Sequence, residues 1–376
     1  MSECALQFSP SMIAKRQADL LLERVAHSNR KIAFIENKKP DLEIVAALLA
    51  QCERCNQWAN RGPLYRALAE RYEAHMNLSA DVSVTPCANG GIALEALARF
   101  HDAKVGKPLR WVGSAFSFSN LGRGWFASMQ FIDCDDQGML DLAALEAIDP
   151  SEFDGFVVTN IFGLWRDFTP YIEFARCSGK HMLIDNAAGI DEQIPDWPYQ
   201  SFSLHHTKPY GVGEGGLIVS PRDEADAIYE LLNYGESGKA SRGQWFNNGK
   251  LSDIACAFHL DRLARYPEWG PKYRAQALRV GAIASAAGLK PLISDRRDAP
   301  ATSEPFIAPD AVPLDRLRKS QRLHFGEYYN PLVETPEAMR VFKNLVNVPT
   351  HPDVTQLSDS ELKHEIETFV LGRESG

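Results

Sequence analysis

Ser201-Phe202-Ser203-Leu204-His205-His206-Thr207-Lys208-Pro209-Tyr210-Gly211-Val212-Gly213-Glu214-Gly215-Gly216 decides how the rest of the chain is read. Its first four residues alternate polar and apolar as a half-buried strand does, and Gly216-Leu217-Ile218-Val219-Ser220 resumes strand character after the glycines. Lys208 therefore falls in a glycine-rich turn between two strands. A lysine amine titrates near ~10.4 in water and is a poor nucleophile at neutral pH. Partial burial disfavours its ammonium form, and such a lysine can form a Schiff base with a carbonyl. The ordinary alternative is a surface lysine in a turn. Gly211, Gly213 and Gly216 also fit the G-x-G-x-x-G spacing of a dinucleotide loop. That fingerprint opens a helix, however, and here the glycines run into a strand, so they are read as a sharp turn beside Lys208.

Working outward, strands are expected at 82–85, 109–113, 130–133, 155–159 and 182–184, with helices at 92–97, after 119, at 140–148 and at 171–177. Alternating strands and helices predict an α/β fold with a mostly parallel sheet covered on both faces, whose ligands bind beyond the carboxyl ends of the strands. Three candidates fall there. Gly90-Gly91 stands between a strand and an apolar helix, a place where unpaired amides and the helix dipole suit a phosphate, the alternative being a plain helix cap. Phe118 can lid a planar ring or belong to the core, and Phe116 is read as core. Asp185 can hold a ring nitrogen protonated or cap a turn.

Taken together, Ser203-Leu204-His205-His206-Thr207-Lys208 followed by Gly-x-Gly-Glu-Gly-Gly resembles the lysine segment of the DegT/StrS sugar aminotransferases, fold-type I enzymes that use pyridoxal 5'-phosphate. The resemblance runs from about Gly62 to the C-terminus. It implies Lys208 as the Schiff-base lysine and proton carrier, Phe118 on the face of the pyridine, and Gly90, Gly91 and Ser203 on the phosphate. It also implies that Asn248 reaches the phosphate of the neighbouring subunit in a homodimer. His205 is either a proton shuttle or a hydrogen-bonded structural residue. Where the family shows Glu-Asp-Ala-Ala this chain has Asp185-Asn186-Ala187-Ala188; asparagine cannot hold the ring proton electrostatically, so the role is assigned to Asp185. Gly91 replaces the family's threonine or serine, and Lys250 its arginine. The implied reaction moves an amino group from glutamate to a keto group of a nucleotide-linked sugar. Two alternatives stay open: a sugar dehydratase, which has histidine in place of the lysine, and a non-catalytic binding or regulatory relative.

The implied domains are residues 1–245, a large cofactor-binding unit with an N-terminal helical segment, and 246–376, a small α+β unit. Helical spacing marks 9–27, 40–58, 254–266, 272–287 and 359–370, a short strand 344–348, and a polar, glycine-rich mobile loop 234–242. A net charge of -9 argues against nucleic acid, and no apolar stretch predicts a membrane span or a signal peptide, so a cytoplasmic protein is expected. Seven scattered cysteines fit reduced thiols, and Cys52 and Cys55, a lone CxxC, are read as helix residues with no metal site.

Overall fold

In a computed structural model of the protein, residues 31–235, 248–326 and 328–373 are described. The expected helix at 9–27 and all but the first two residues of the expected loop lie outside them. Seven short runs rich in apolar residues form β1 (Val82–Cys87), β2 (Trp111–Ser114), β3 (Gln130–Ile132), β4 (Gly155–Thr159), β5 (His181–Asp185), β6 (Gln200–Ser203) and β7 (Gly216–Pro221). They build one sheet in the order β1-β7-β6-β5-β4-β2-β3. Strands β3, β2, β4, β5 and β6 pair in parallel, while β7 is antiparallel to both β6 and β1.

Helices α1 (Leu42–Cys55), α2 (Pro63–His75), α3 (Gly90–Val105), α4 (Leu142–Glu146), α5 (Thr169–Ser178), α6 (Ala225–Leu232), α7 (Asp253–Ala264) and α8 (Tyr266–Ala287) surround it. The sheet is buried on both faces, and the pleat sorts its side chains between them. Val157 and Leu183 pack with Ala93, Leu94 and Leu97 of α3 on one face. Phe156, Val158, Met182 and Ile184 pack with Tyr171 and Ile172 of α5 on the other. Beyond α8 a small antiparallel sheet, β8 (Lys290–Pro291), β9 (Ser303–Ile307) and β10 (Leu345–Pro349), is packed with α9 (Leu314–Arg318), α10 (Pro336–Asn344) and α11 (Asp359–Glu365).

Some expectations shift. The helix expected after Ser119 is a single 3-10 turn, Gly124–Phe126. The helix expected at 140–148 is shortened to α4, which Asp141 starts by accepting the Ala143 and Ala144 amides. Packing also assigns α7 and the start of α8 to the large unit: Leu251, Cys256, Ala257, Leu260, Trp269 and Tyr273 share a core with Val45, Leu64, Leu68 and Tyr72 of α1 and α2. Asp253 explains the attachment, because its buried carboxylate accepts the Leu64 and Tyr65 amides and so caps α2 from 188 to 189 residues away. From Leu251 to Tyr273 the chain is thus part of the same core as α1 and α2.

Candidate active site

Strand β5 ends on Asp185, β6 ends on Ser203, and β7 starts at Gly216, so one edge of the sheet gathers most of the candidates. The chain between β6 and β7 folds back on itself through Leu204 N–H to Gly215 O (2.8 Å) and His206 N–H to Gly213 O (2.7 Å). Inside this loop Lys208 N–H donates to His205 O at 2.8 Å and Gly211 N–H to Lys208 O at 3.0 Å. The glycines lead into β7 and open no helix, as the sequence predicts.

Asp185 is buried and faces Lys208. Burial pushes the Asp185 carboxyl up, while the Lys208 ammonium, the Ala187 amide and the Asn120 side chain hold it down. Burial likewise lowers the Lys208 amine, with Asp185 opposing. Each charge is thus stabilised chiefly by the other. The neighbouring Asn186 is fully buried and committed elsewhere: it accepts from Asn160 Nδ2 at 2.7 Å and donates to Gln200 Oε1 at 3.0 Å. Asp185 closes β5, and Asn186 after it is held by Asn160 and Gln200, so of this pair Asp185 is the one that acts on Lys208.

At the start of α3, Asn89 caps the helix by accepting the Ile92 amide at 2.9 Å, which leaves the Gly90 and Gly91 amides as first-turn donors. The approach is close. A Cβ on Gly90 would stand 3.0 Å from Ser203 Cβ, and one on Gly216 only 2.4 Å from Asn89 C. Buried Ser203 therefore borders the helix start, and its Oγ accepts the His205 amide at 3.2 Å. Asn120 joins the two ends of the site, lying near Gly91 and beside Asp185 with its Oδ1 buried and unpartnered. Phe118 is 53% exposed and meets Tyr329 edge-on, while Phe116 is fully buried. Tyr329, half-buried and near Asp185, stacks on Phe162 at 5.0 Å.

The remaining candidates stand at the rim. His205 is partly exposed, with Nδ1 2.8 Å from Thr207 Oγ1 and Nε2 3.5 Å from Glu214 Oε1. Asn248 is exposed and bridges to Asn233, and Lys250 donates to the Asn233 side chain. Cys52 is buried and Cys55 exposed, both in α1, and no group of three metal-ligating side chains occurs among the described residues. No helix among them is long and apolar enough to cross a membrane. Sequence reasoning missed Asn120, which lies seven residues past the end of the strand expected at 109–113 and carries no motif. It also gave Tyr329 no role.

A mostly parallel sheet with a lone antiparallel strand, a lysine in the turn before that strand, an acidic partner at a neighbouring strand end and a glycine-led helix define a fold-type I pyridoxal-phosphate enzyme. The model of the DegT/DnrJ/EryC1/StrS aminotransferase family matches residues 41–297, and the chain belongs to that family of pyridoxal-phosphate-dependent enzymes. The match begins before Gly62 and stops short of the C-terminus, which differs at both ends from the span of the motifs. Protein Rv3402c of Mycobacterium tuberculosis is 27% identical over 264 residues, or 65% of this chain and 63% of that one, so the match spans less than two thirds of that relative. Among solved structures, DesI crystallised with its TDP-sugar product superposes with a TM-score of 0.76 at 19% identity, covering 93% of this chain and 95% of that one. PseC of Helicobacter pylori, an aminotransferase of pseudaminic acid biosynthesis, also gives 0.76, at 15% identity over 91% and 100% of the two chains.

Proposed function

We propose that this protein transfers an amino group, from glutamate, to a keto group of a nucleotide-linked sugar, with pyridoxal phosphate bound at Lys208. The observation that carries the reading is the buried Asp185 carboxylate facing half-buried Lys208 at the sheet edge, beside the glycine-led start of α3. The residues suit the group: a helix start with donor amides for its phosphate, a carboxylate for its ring nitrogen, an amine for its aldehyde, and an unpartnered buried amide oxygen on Asn120.

Gly90, Gly91 and Ser203 would hold the phosphate through amides and a hydroxyl, joined by Asn248 of a second copy of the chain in a homodimer. Asp185 would keep the ring nitrogen protonated, Tyr329 and Asn120 would fix Asp185 in place, and Phe118 would cover the ring face. When bound, pyridoxal phosphate supplies an electron sink and a carbonyl that stores the amino group between half-reactions. Lys208 Nζ, its pKa lowered by burial, is suited to take a proton from the substrate carbon and return it. A lysine at this position also separates the reading from a sugar dehydratase. The likeness to solved structures such as DesI with its TDP-sugar product supports a nucleotide-linked substrate.

The test incubates the purified protein, reconstituted with pyridoxal phosphate, with glutamate and a panel of nucleotide keto-sugars. Formation of 2-oxoglutarate together with an amino sugar supports the proposal. A protein that neither acquires visible absorbance with the cofactor nor responds to glutamate is a binding module instead.

A further inference from the structure

Five carbonyls of the Lys208 turn are gripped by side chains from distant parts of the chain. Lys38 Nζ donates to His206 O at 2.6 Å, Lys208 O at 2.5 Å and Gly211 O at 2.8 Å. Arg262 Nε in α7 donates to Pro209 O at 2.9 Å, and Thr302 Oγ1, just ahead of β9, donates to Thr207 O at 2.8 Å. Arg262 is fixed in turn by Glu36 Oε2 at 2.6 Å, which also accepts from Tyr273 Oη at 3.0 Å, and it lies 4.0 Å above the Trp269 ring. An ammonium has three protons and no acceptor. All three of Lys38's are spent on this one turn, 168 to 173 residues away.

We propose that Lys38 is a positioning residue for Lys208: it fixes the backbone from which the Lys208 side chain projects and so sets where Lys208 Nζ stands relative to Asp185. The proposal rests on Lys208 as the cofactor-bearing residue. A turn of this kind cannot satisfy its own carbonyls with a strand ladder, and water in their place would let the turn rock. Removing a charge that makes three hydrogen bonds leaves three acceptors with weaker partners, and the bonds to Lys208 O and Gly211 O are part-buried. Burial lowers the Lys38 pKa to about 7, Arg262 adding to the shift and Glu36 opposing it. His206, His259 and His351 also face Lys38, and its charge helps to lower each of them. A neutral amine keeps two protons, so the grip on all three carbonyls is complete only in the protonated form.

The experiment compares wild type, Lys38→Met and Lys38→Arg as purified full-length chains. Displacing a catalytic group by about 1 Å costs up to about a hundredfold in rate, so Lys38→Met is expected to lower kcat about tenfold to a hundredfold with KM little changed. Lys38→Arg, which keeps charge and donors, should recover much of that loss. The deciding readout needs no turnover: trace acetic anhydride labelling of cofactor-free protein across pH, with the modified lysines identified by mass spectrometry. A displaced Lys208 labels with a shifted midpoint in Lys38→Met. An unchanged Lys208 profile in that variant overturns the proposal. Should Lys38→Met not fold, wild type alone decides. Lys38 should then label with a midpoint near 7 and more slowly than exposed Lys39, and equal labelling rates for the two overturn the proposal. Absence of cofactor from Lys208 in wild type would defeat the functional reading separately, because the labelling profile of the cofactor-free protein does not depend on it.

Discussion

Replacing Gly216 by alanine tests the close packing on which the proposed phosphate end of the site depends. The added Cβ would lie 2.4 Å from Asn89 C, 2.6 Å from Asn89 O and 2.7 Å from Gly90 N, all backbone atoms that no rotamer change can move aside. Ordinary contact needs roughly 1 Å more, so either β7 or the Asn89-Gly90 turn must shift. Overpacking of this sort costs about 1–3 kcal/mol. For a chain of this size that amounts to a fall in Tm of several degrees, at about 2–4 °C per kcal/mol. Because the same shift moves the first amides of α3, one charge-assisted phosphate contact is expected to be lost, worth about 1.5–3 kcal/mol, and cofactor affinity should fall at least about tenfold. Gly213→Ala is the control: Gly213 has φ +79 and open space around its Cβ position, so it should show a strain cost of about 1–2 kcal/mol with cofactor affinity retained. Thermal melts and cofactor titration by fluorescence measure both quantities. Gly216→Ala with unchanged Tm and unchanged affinity would refute the reasoning.

Asp185→Asn should lower turnover far more than Asn186→Ala relative to their effects on stability, since Asn186 serves Asn160 and Gln200; the reverse ranking in steady-state kinetics would restore the family's strict register. Mixing Lys208→Ala chains with Asn248→Ala chains should regain activity, because one site of the mixed dimer collects both defects and the other neither; heterodimers without regained activity would exclude a shared site. Burial holds His101 down to about 3 and His259 to about 4, against ~6.5 in an unfolded chain. The unfolded state therefore binds more protons between those values, and stability, full above about 6.5, is lost as pH falls toward 4, by at most about 1.4 kcal/mol per pH unit per histidine. Denaturation midpoints at several pH values should show a flatter dependence for His101→Phe.

The sheet was readable because its central strands are buried on both faces and so appear as short apolar runs, Gly155–Thr159 and His181–Asp185 among them. Lys208 was readable because the glycines around it and the strand after it leave one kind of turn. Lys38 was not: nothing local in the Lys31-to-Pro40 sequence distinguishes it from Lys39, and its role comes from contacts made almost half the chain away. The place of α7 was hidden for the same reason, since Asp253 reads as an ordinary helix-start residue and serves as the remote cap of α2. In the sequence only charge separates Asp185 from Asn186, and the contacts that hold Asn186, to Asn160 and Gln200, were not legible there.

The central claim is that Lys208 bears the cofactor, and the most direct measurement is borohydride reduction of the reconstituted protein followed by peptide mass spectrometry. The reduced pyridoxyl group is expected on Lys208 and absent from Lys208→Ala. The group on any other lysine, or on none, would contradict the account.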